Sequence, residues 1–168
     1  MQRSFTTGDT DTAIDIMREA AQWLIDAGKP MWDLDRINRE YITNPADEFH
    51  MARVDGEGAA ACLLSFHDPF FWPDIPPGAS GFVHKLAVRR RFAGQGLGEA
   101  MLAHSAKCCL ARDIPMLRLD TDANRPGLCA LYERSGFTQV GIRRIYASFV
   151  GKTLDVAMYE APAAALLA

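Results

Sequence analysis

The run Phe82-Val83-His84-Lys85-Leu86-Ala87-Val88, then Arg89-Arg90-Arg91-Phe92-Ala93, then Gly94-Gln95-Gly96-Leu97-Gly98, decides the fold. Its first seven residues lean apolar and β-prone. After the glycines, Leu97, Ala100, Met101, His104, Cys108 and Ala111 recur at three- and four-residue steps. The pattern predicts a strand over 82–88 that feeds a helix over about 96–113 through a glycine-rich turn. At such a junction the first helical turn has N–H groups without intrahelical partners, glycine puts no Cβ in the way, and the helix dipole adds partial positive charge. The turn therefore suits an anion, a phosphate above all. Arg89, Arg90 and Arg91 lie just upstream, where they can contact further phosphates.

Upstream of this run, Ile14, Met17, Ala21, Leu24 and Ile25 trace an amphipathic helix from about Thr10 to Ala27, closed by Gly28 and Pro30. A second helical stretch, about Asp33 to Ile42, ends at Asn44-Pro45. Phe49–Val54 and Ala59–Phe66 flank Asp55-Gly56-Glu57-Gly58 and read as a β-hairpin. His67–Ser80 carries Phe70, Phe71 and Trp72 among four prolines, and two readings of this loop stand: a packed cover on the core, or one wall of a small-molecule pocket. Downstream come a strand over Met116–Thr121, a short helix over Leu128–Ser135 ended by Gly136, and strands over Phe137–Ile145 and Leu154–Tyr159. An antiparallel hairpin followed by strand-helix-strand-helix-strand describes an α/β domain with a mixed sheet.

With 168 residues, 49% hydrophobic and 23% charged, the chain fits one domain over 1–168 with a real core; the Ala-rich tail after about residue 161 shows no readable element, and an unstructured end fits it. Eighteen Lys and Arg against 21 Asp and Glu give a formal charge of −3, which offers no broad field for a polyanion, so no nucleic-acid partner is expected. No apolar stretch approaches a membrane span, and Met1–Thr12 is polar and acidic rather than leader-like, so a soluble, cytoplasmic protein without a membrane partner is expected. Cys62, Cys108, Cys109 and Cys129 form no CxxC pair and have no histidine at ligand spacing, so neither a disulfide framework nor a metal site is expected. The sequence leaves oligomeric state open, and a homodimer is compatible with it.

The glycine run also narrows the anion. A P-loop needs Lys-Ser/Thr after its last glycine, whereas Gly98 is followed by Glu99 and Ala100. The dinucleotide fingerprint is GxGxxG in an opening βαβ unit, and this run is GxGxG at mid-chain. The stretch Leu86–Leu102, with its turn Arg91-Phe92-Ala93-Gly94-Gln95-Gly96, instead resembles motif A of the GNAT superfamily of acyl-CoA-dependent N-acetyltransferases. Taken alone, the run could equally be a glycine-rich connection kept for tight packing. A second likeness follows: Asn124, then Leu131-Tyr132-Glu133-Arg134-Ser135-Gly136-Phe137, resembles that superfamily's motif B, Asn…Leu-Tyr-x-x-x-Gly-Phe. There are departures. Ala93 stands where an arginine is frequent, and one extra residue separates Asn124 from Tyr132, with Pro126-Gly127 in the gap.

The resemblance implies a mostly antiparallel central sheet flanked by helices, acetyl-CoA as cosubstrate without a metal, and direct acetyl transfer to a primary amine of a small molecule. It implies that Leu86 and Val88 offer main-chain contacts to the pantetheine arm and an oxyanion site. Arg91, Gly94, Gly96, Leu97, Gly98 and Asn124 would belong to the cofactor site. Tyr132 would be the acid at the CoA sulfur, and His84 is similar to the proton acceptor of the arylalkylamine N-acetyltransferase branch. The residue chemistry is compatible. A neutral imidazole accepts a proton near pH 7, and a phenol keeps one there. The open alternatives are a half-buried structural histidine at 84, a core tyrosine at 132, and Asp120 or Asp122 as base or as anchor for a cationic acceptor, against plain turn and capping roles for both. Other functions also remain open: acetylation of a peptide or protein N-terminus or lysine, a non-catalytic acyl-CoA sensor, and nucleotide binding.

Overall fold

The computed structural model describes residues 1–168. In chain order the elements are β1 (Arg3–Thr7), α1 (Thr10–Asp26), α2 (Arg39–Ile42), β2 (Glu48–Val54), β3 (Glu57–Ser65), β4 (Gly81–Val88), α3 (Leu97–Leu110), β5 (Met116–Asp122), α4 (Pro126–Ser135), β6 (Thr138–Ala147) and β7 (Lys152–Pro162). Short 3-10 turns occupy Leu34–Arg36, Arg90–Phe92 and Ala163–Leu167. The strands form one mixed, mostly antiparallel sheet in the order β1-β2-β3-β4-β5-β7-β6, in which β4 and β5 run parallel. No helix is long and apolar enough to cross a membrane. The chain divides into two compact units, Met1–Leu64 with Lys85–Met101 and Ser65–His84 with Leu102–Ala168, and the boundary runs through β4 between His84 and Lys85.

In the first unit, α1 begins where the Asp9 carboxylate accepts the Thr12 N–H at 3.3 Å. It ends where Gly28, at φ +73°, lets its N–H reach the Ile25 carbonyl at 2.9 Å. Its buried stripe is Ala13, Ile14, Ile16, Met17 and Ala21, packed with Ile37, Phe49, Met51, Ala61, Leu63 and Ala87. Removing a side chain such as Met17 or Ile16 from water contributes roughly 1.5–3 kcal/mol each. Leu24, half-buried, and Ile25, exposed, fall outside the buried stripe. Trp23 is 43% exposed, with the Arg90 guanidinium 3.9 Å from its ring centre.

The β2–β3 hairpin is tighter than its sequence suggests. Val54 pairs with Glu57, so Asp55 (φ +49°) and Gly56 (φ +86°) alone make the turn. Gly58 belongs to β3, where an added Cβ would lie 2.8 Å from the Met51 sulfur and 3.0 Å from the Thr12 methyl. It is a packing glycine, not a turn glycine. Strand β1 has no counterpart among the sequence expectations and pairs antiparallel with β2 from Arg3↔Val54 to Thr7↔His50. The expected helix over 33–42 is broken into a 3-10 turn and α2, because Ile37 leaves helical geometry (φ −94°, ψ +77°) and Asn38 is extended between them.

In the second unit, β5 alternates strictly, burying Leu117, Leu119 and Thr121 and turning Met116, Arg118, Asp120 and Asp122 the other way. It pairs with β7 from Met116↔Pro162 to Asp122↔Val156, and β7 pairs with β6. Helix α4 ends at Gly136, whose φ of +116° lets the Phe137 N–H reach the Tyr132 carbonyl at 3.0 Å. The tail is ordered, contrary to expectation. Ala163 and Leu166 are buried, and the Ala163 N–H donates to the Pro115 carbonyl at 2.8 Å. The loop between β3 and β4 closes on itself through the Gly78 N–H and the Phe66 carbonyl at 2.8 Å. Trp72 packs on Phe82 with ring centres 6.4 Å apart, and Arg143 of β6 lies over both Phe70 and Phe71 and donates to the Phe70 carbonyl.

Candidate active site

Two groups of residues carry the candidate chemistry, one in each unit. In the first unit, β4 runs through Leu86 and Val88, both half-buried, into the 3-10 turn and then into α3. Gly94 and Gly96 have φ of +76° and +73°, a conformation that costs any residue with a Cβ. Apart from the glycine and its immediate chain neighbours, nothing lies within 4 Å of where a Cβ would stand at either. The turn is therefore open to a ligand on that side. The Ala100 N–H bonds to the Gly96 carbonyl at 3.1 Å, so the amides of the first turn of α3, from the buried Leu97 through Gly98, lie at the helix end where an anion is favoured.

The three arginines expected to reach further phosphates are engaged by the protein itself. Arg89 donates to the Gly58 carbonyl at 2.9 Å and to Glu19 at 3.3 Å, Arg90 covers Trp23, and the exposed Arg91 pairs with Glu57. What the turn offers an anion is thus main-chain amides, with Arg91 held in a solvent-exposed pair with Glu57.

In the second unit, the ladder between β4 and β5 covers Gly81↔Leu117 and Phe82↔Arg118 at the start of both strands. His84 follows, and then Lys85 at φ +51° interrupts the strand's alternation. Strand parity alone therefore does not carry Phe82, His84, Leu86 and Val88 along one face. The His84 Nε2 is hydrogen-bonded to the Ser65 Oγ at 3.0 Å and lies 3.7 Å from the Asp68 Oδ2. Asp120 completes the group, and one ligand atom from each of Asp68, His84 and Asp120 lies within 4.8 Å of the other two. Asp68 is 7% exposed, and its Oδ1 accepts the Phe71 N–H at 3.0 Å while its buried Oδ2 has no hydrogen-bond partner.

Sequence reasoning found His84 and named Asp120, but missed Asp68 and Ser65. Asp68 precedes Pro69 at the entrance to the loop, and the only available signal was an Asp-Pro turn start, which says nothing about burial. Asp122 is the turn residue the sequence suggested: its carboxylate accepts the Asn124 N–H at 3.0 Å and pairs with Arg125 at 3.4 Å. Asn124 is itself exposed.

Tyr132 is 7% exposed on α4, its ring 6.1 Å from that of Phe137 and 5.9 Å from that of Tyr159. Burial, together with Cys129 and Glu133 beside it, pushes the Tyr159 phenol far above its ordinary range, so Tyr159 stays protonated and donates to Glu133 at 3.1 Å. Of the cysteines, Cys62 and Cys109 are buried core residues, while Cys108 and Cys129 are half-buried; contrary to the sequence expectation, Cys108 does have a histidine at ligand spacing, His104 one turn earlier on α3, with Nε2 3.6 Å from its Sγ.

The open glycine turn at a helix start suits a phosphate-bearing ligand, and in the other unit a histidine beside two carboxylates suits proton transfer. The chain belongs to the acetyltransferase (GNAT) family, whose model matches residues 14–137, and it is an acyltransferase of the N-acetyltransferase type. It is 31% identical over 141 residues to the uncharacterized N-acetyltransferase YesJ of Bacillus subtilis, a match covering 79% of this chain and 78% of that one. Among solved structures, the ribosomal-protein-S18-alanine N-acetyltransferase of Escherichia coli superposes with a TM-score of 0.71 at 21% identity, covering 96% of this chain and 94% of that one. A GNAT family acetyltransferase from Elizabethkingia anophelis, solved with acetyl-CoA bound, superposes with a TM-score of 0.65 at 17% identity over 95% and 97% of the two chains.

Proposed function

We propose that the protein, acting as one domain over 1–168, transfers the acetyl group of acetyl-CoA directly to a primary amine of a small molecule. The observation that carries this reading is that a single strand, β4, bears His84 at the carboxylate cluster and leads within ten residues to the open turn at Gly94 and Gly96. In this reading the CoA diphosphate docks on the amides from Gly94 to Gly98, and Leu86 and Val88 offer main-chain groups to the pantetheine arm. Family membership and acetyl-CoA in the solved relative support that assignment.

The transfer then proceeds by direct attack. The amine nitrogen gives a proton to His84 and forms a bond to the thioester carbonyl carbon, the oxyanion is held by main-chain N–H groups near Leu86 to Val88, and the C–S bond breaks as Tyr132 protonates the leaving thiolate. The short β4–β5 ladder and the left-handed Lys85 support amides being available in this part of β4. No side-chain acyl intermediate is needed.

The test is thiol release from acetyl-CoA with a panel of primary amines, peptides and protein substrates, alongside calorimetric binding of CoA. Release stimulated by small amines supports the reading. CoA binding without stimulation by any acceptor identifies an acyl-CoA sensor, and stimulation by peptides or proteins alone moves the activity to those substrates.

A further inference from the structure

We infer that Asp68, with Asp120 and His84, forms a seat for the acceptor's ammonium group, and that this seat selects amines with no carboxylate on the carbon bearing the nitrogen. The inference rests on the acetyl-transfer reading above and names the substrate class of that site.

The argument starts from Asp68. Its carboxylate is more than nine-tenths buried, one oxygen is fixed by the Phe71 N–H, and the other is buried without a hydrogen bond while facing the His84 ring. A buried carboxylate oxygen in that state is unfavourable unless a cation or a donor meets it. Three atoms within 4.8 Å of one another always share a point no more than about 2.8 Å from each, which is the length of a charge-assisted N–H···O bond. A primary ammonium has three N–H donors and so matches one oxygen of Asp68, one of Asp120 and the His84 Nε2 once the Ser65 hydroxyl, 3.0 Å away, turns its hydrogen from that nitrogen.

The same seat prepares the chemistry. One of the three N–H groups points at the imidazole, so the proton that must leave before attack passes to the His84 Nε2, and the second N–H proton, lost once the C–N bond has formed, passes to water. The resulting imidazolium has its Nε2 3.0 Å from the Ser65 Oγ and 3.7 Å from the Asp68 Oδ2, whose negative charge stabilises it. Asp68 therefore both holds the acceptor and steadies the protonated base.

The two carboxylates also exclude. A carboxylate on the adjacent carbon of an α-amino acid would be held within a few ångströms of Asp68 and Asp120 in a water-poor place, where like charges repel strongly. An amine with hydrogen or a neutral amide in that position avoids the repulsion.

Two matched sets of acceptors test this: 2-phenylethylamine with L-phenylalanine and its amide, and isobutylamine with L-valine and its amide. The expected result is that kcat/KM for the free acids falls at least about 100-fold below that for the amines and amides, as expected for a buried like-charge contact. Asp68→Asn should raise KM for the amines about 10-fold or more and shrink the discrimination against the acids. Asp120→Asn should act in the same direction and serves if Asp68→Asn does not fold, as judged by circular dichroism and thermal melting. Calorimetric binding of the same compounds to the CoA-saturated protein reads the seat without turnover. If no acceptor releases thiol, the transfer reading fails while the binding ranking still decides the seat. Acids within about threefold of the amines, or a ranking unmoved in both variants, overturns the inference. So does protein isolated with one equivalent of a transition metal that Asp68→Asn loses, since the same atoms could ligate such an ion; the comparison is made in a Cys108→Ser background so that the His104–Cys108 pair, 3.6 Å apart, is not counted.

Discussion

The Cβ that Gly58 lacks would stand 2.8 Å from the sulfur of Met51 on the neighbouring strand β2 and 3.0 Å from the Thr12 Cγ2 of α1, so a larger residue here must push both side chains aside. The Ile16 Cδ1 and the Thr12 Cγ2 crowd the same spot from the helix side. Gly58→Val therefore overpacks a filled core, and unfolding in urea should show a loss of about 1–3 kcal/mol. A midpoint equal to that of wild type would show that α1 can retreat without cost.

His84→Gln keeps a polar side chain of similar reach but removes the base. We expect kcat/KM to fall about 10²-fold and the acidic limb of the pH–rate profile to flatten. An unaltered limb would hand proton acceptance to Asp120 or to water. Ser65→Ala, which removes the hydroxyl 3.0 Å from Nε2, should change the profile less than the loss of His84 does.

Tyr132→Phe keeps the ring that packs on Phe137 and Tyr159 and deletes only the hydroxyl. Turnover should drop by about 10²-fold with CoA affinity nearly unchanged. Equal losses in melting temperature and in turnover would instead make Tyr132 a core residue.

The anion site separates main chain from side chain. Gly96→Ala strains a turn at φ +73° and should weaken CoA binding about 10-fold or more, whereas Arg91→Ala breaks an exposed pair with Glu57 and should weaken it by no more than about threefold. Calorimetry on both variants distinguishes the contributions. A large loss in Arg91→Ala alone would reverse the assignment.

Asp9 supplies a pH dependence of known sign. Hydrogen bonds from Thr12, side chain first and then main chain, and the Arg53 guanidinium hold its carboxyl below the ordinary aspartate range. Because its pKa is lowered on folding, its contribution to stability is complete above the unfolded value of about 3.9 and disappears as pH falls through the folded value. Thermal melts from pH 7 to 3 should show wild type and Asp9→Asn differing by a constant amount above about pH 5 and converging below it. Parallel curves over the whole range would remove Asp9 as the source.

The elements legible in the sequence are those whose periodicity and punctuation agree. The helix start after Gly96, α1 after Asp9, and the stop at Gly136 all follow from local chemistry. Strand β1 escaped because Arg3–Thr7 is short and polar and has one apolar residue, Phe5; pairing with β2, not pattern, makes it a strand. The candidate site divides in the same way. Gly94, Gly96, His84 and Tyr132 lie in motifs, whereas the burial of Asp68 depends on closure of the loop from Phe66 to Gly78. Asp120 and Asp122 share strand parity, and only the location of Arg125 tells the turn residue from the cluster residue. The cations beside Trp23, Trp32 and Trp72 are likewise long-range facts invisible in composition.

Trp72 lies between Phe82 and Arg118, its indole nitrogen buried without an acceptor, four residues from Asp68. With Trp23 and Trp32 replaced by phenylalanine, the emission of the remaining indole would come from the loop alone. If amines seat at Asp68 as inferred, its wavelength and quenching would change as each one arrives and give an optical signal for screening acceptors.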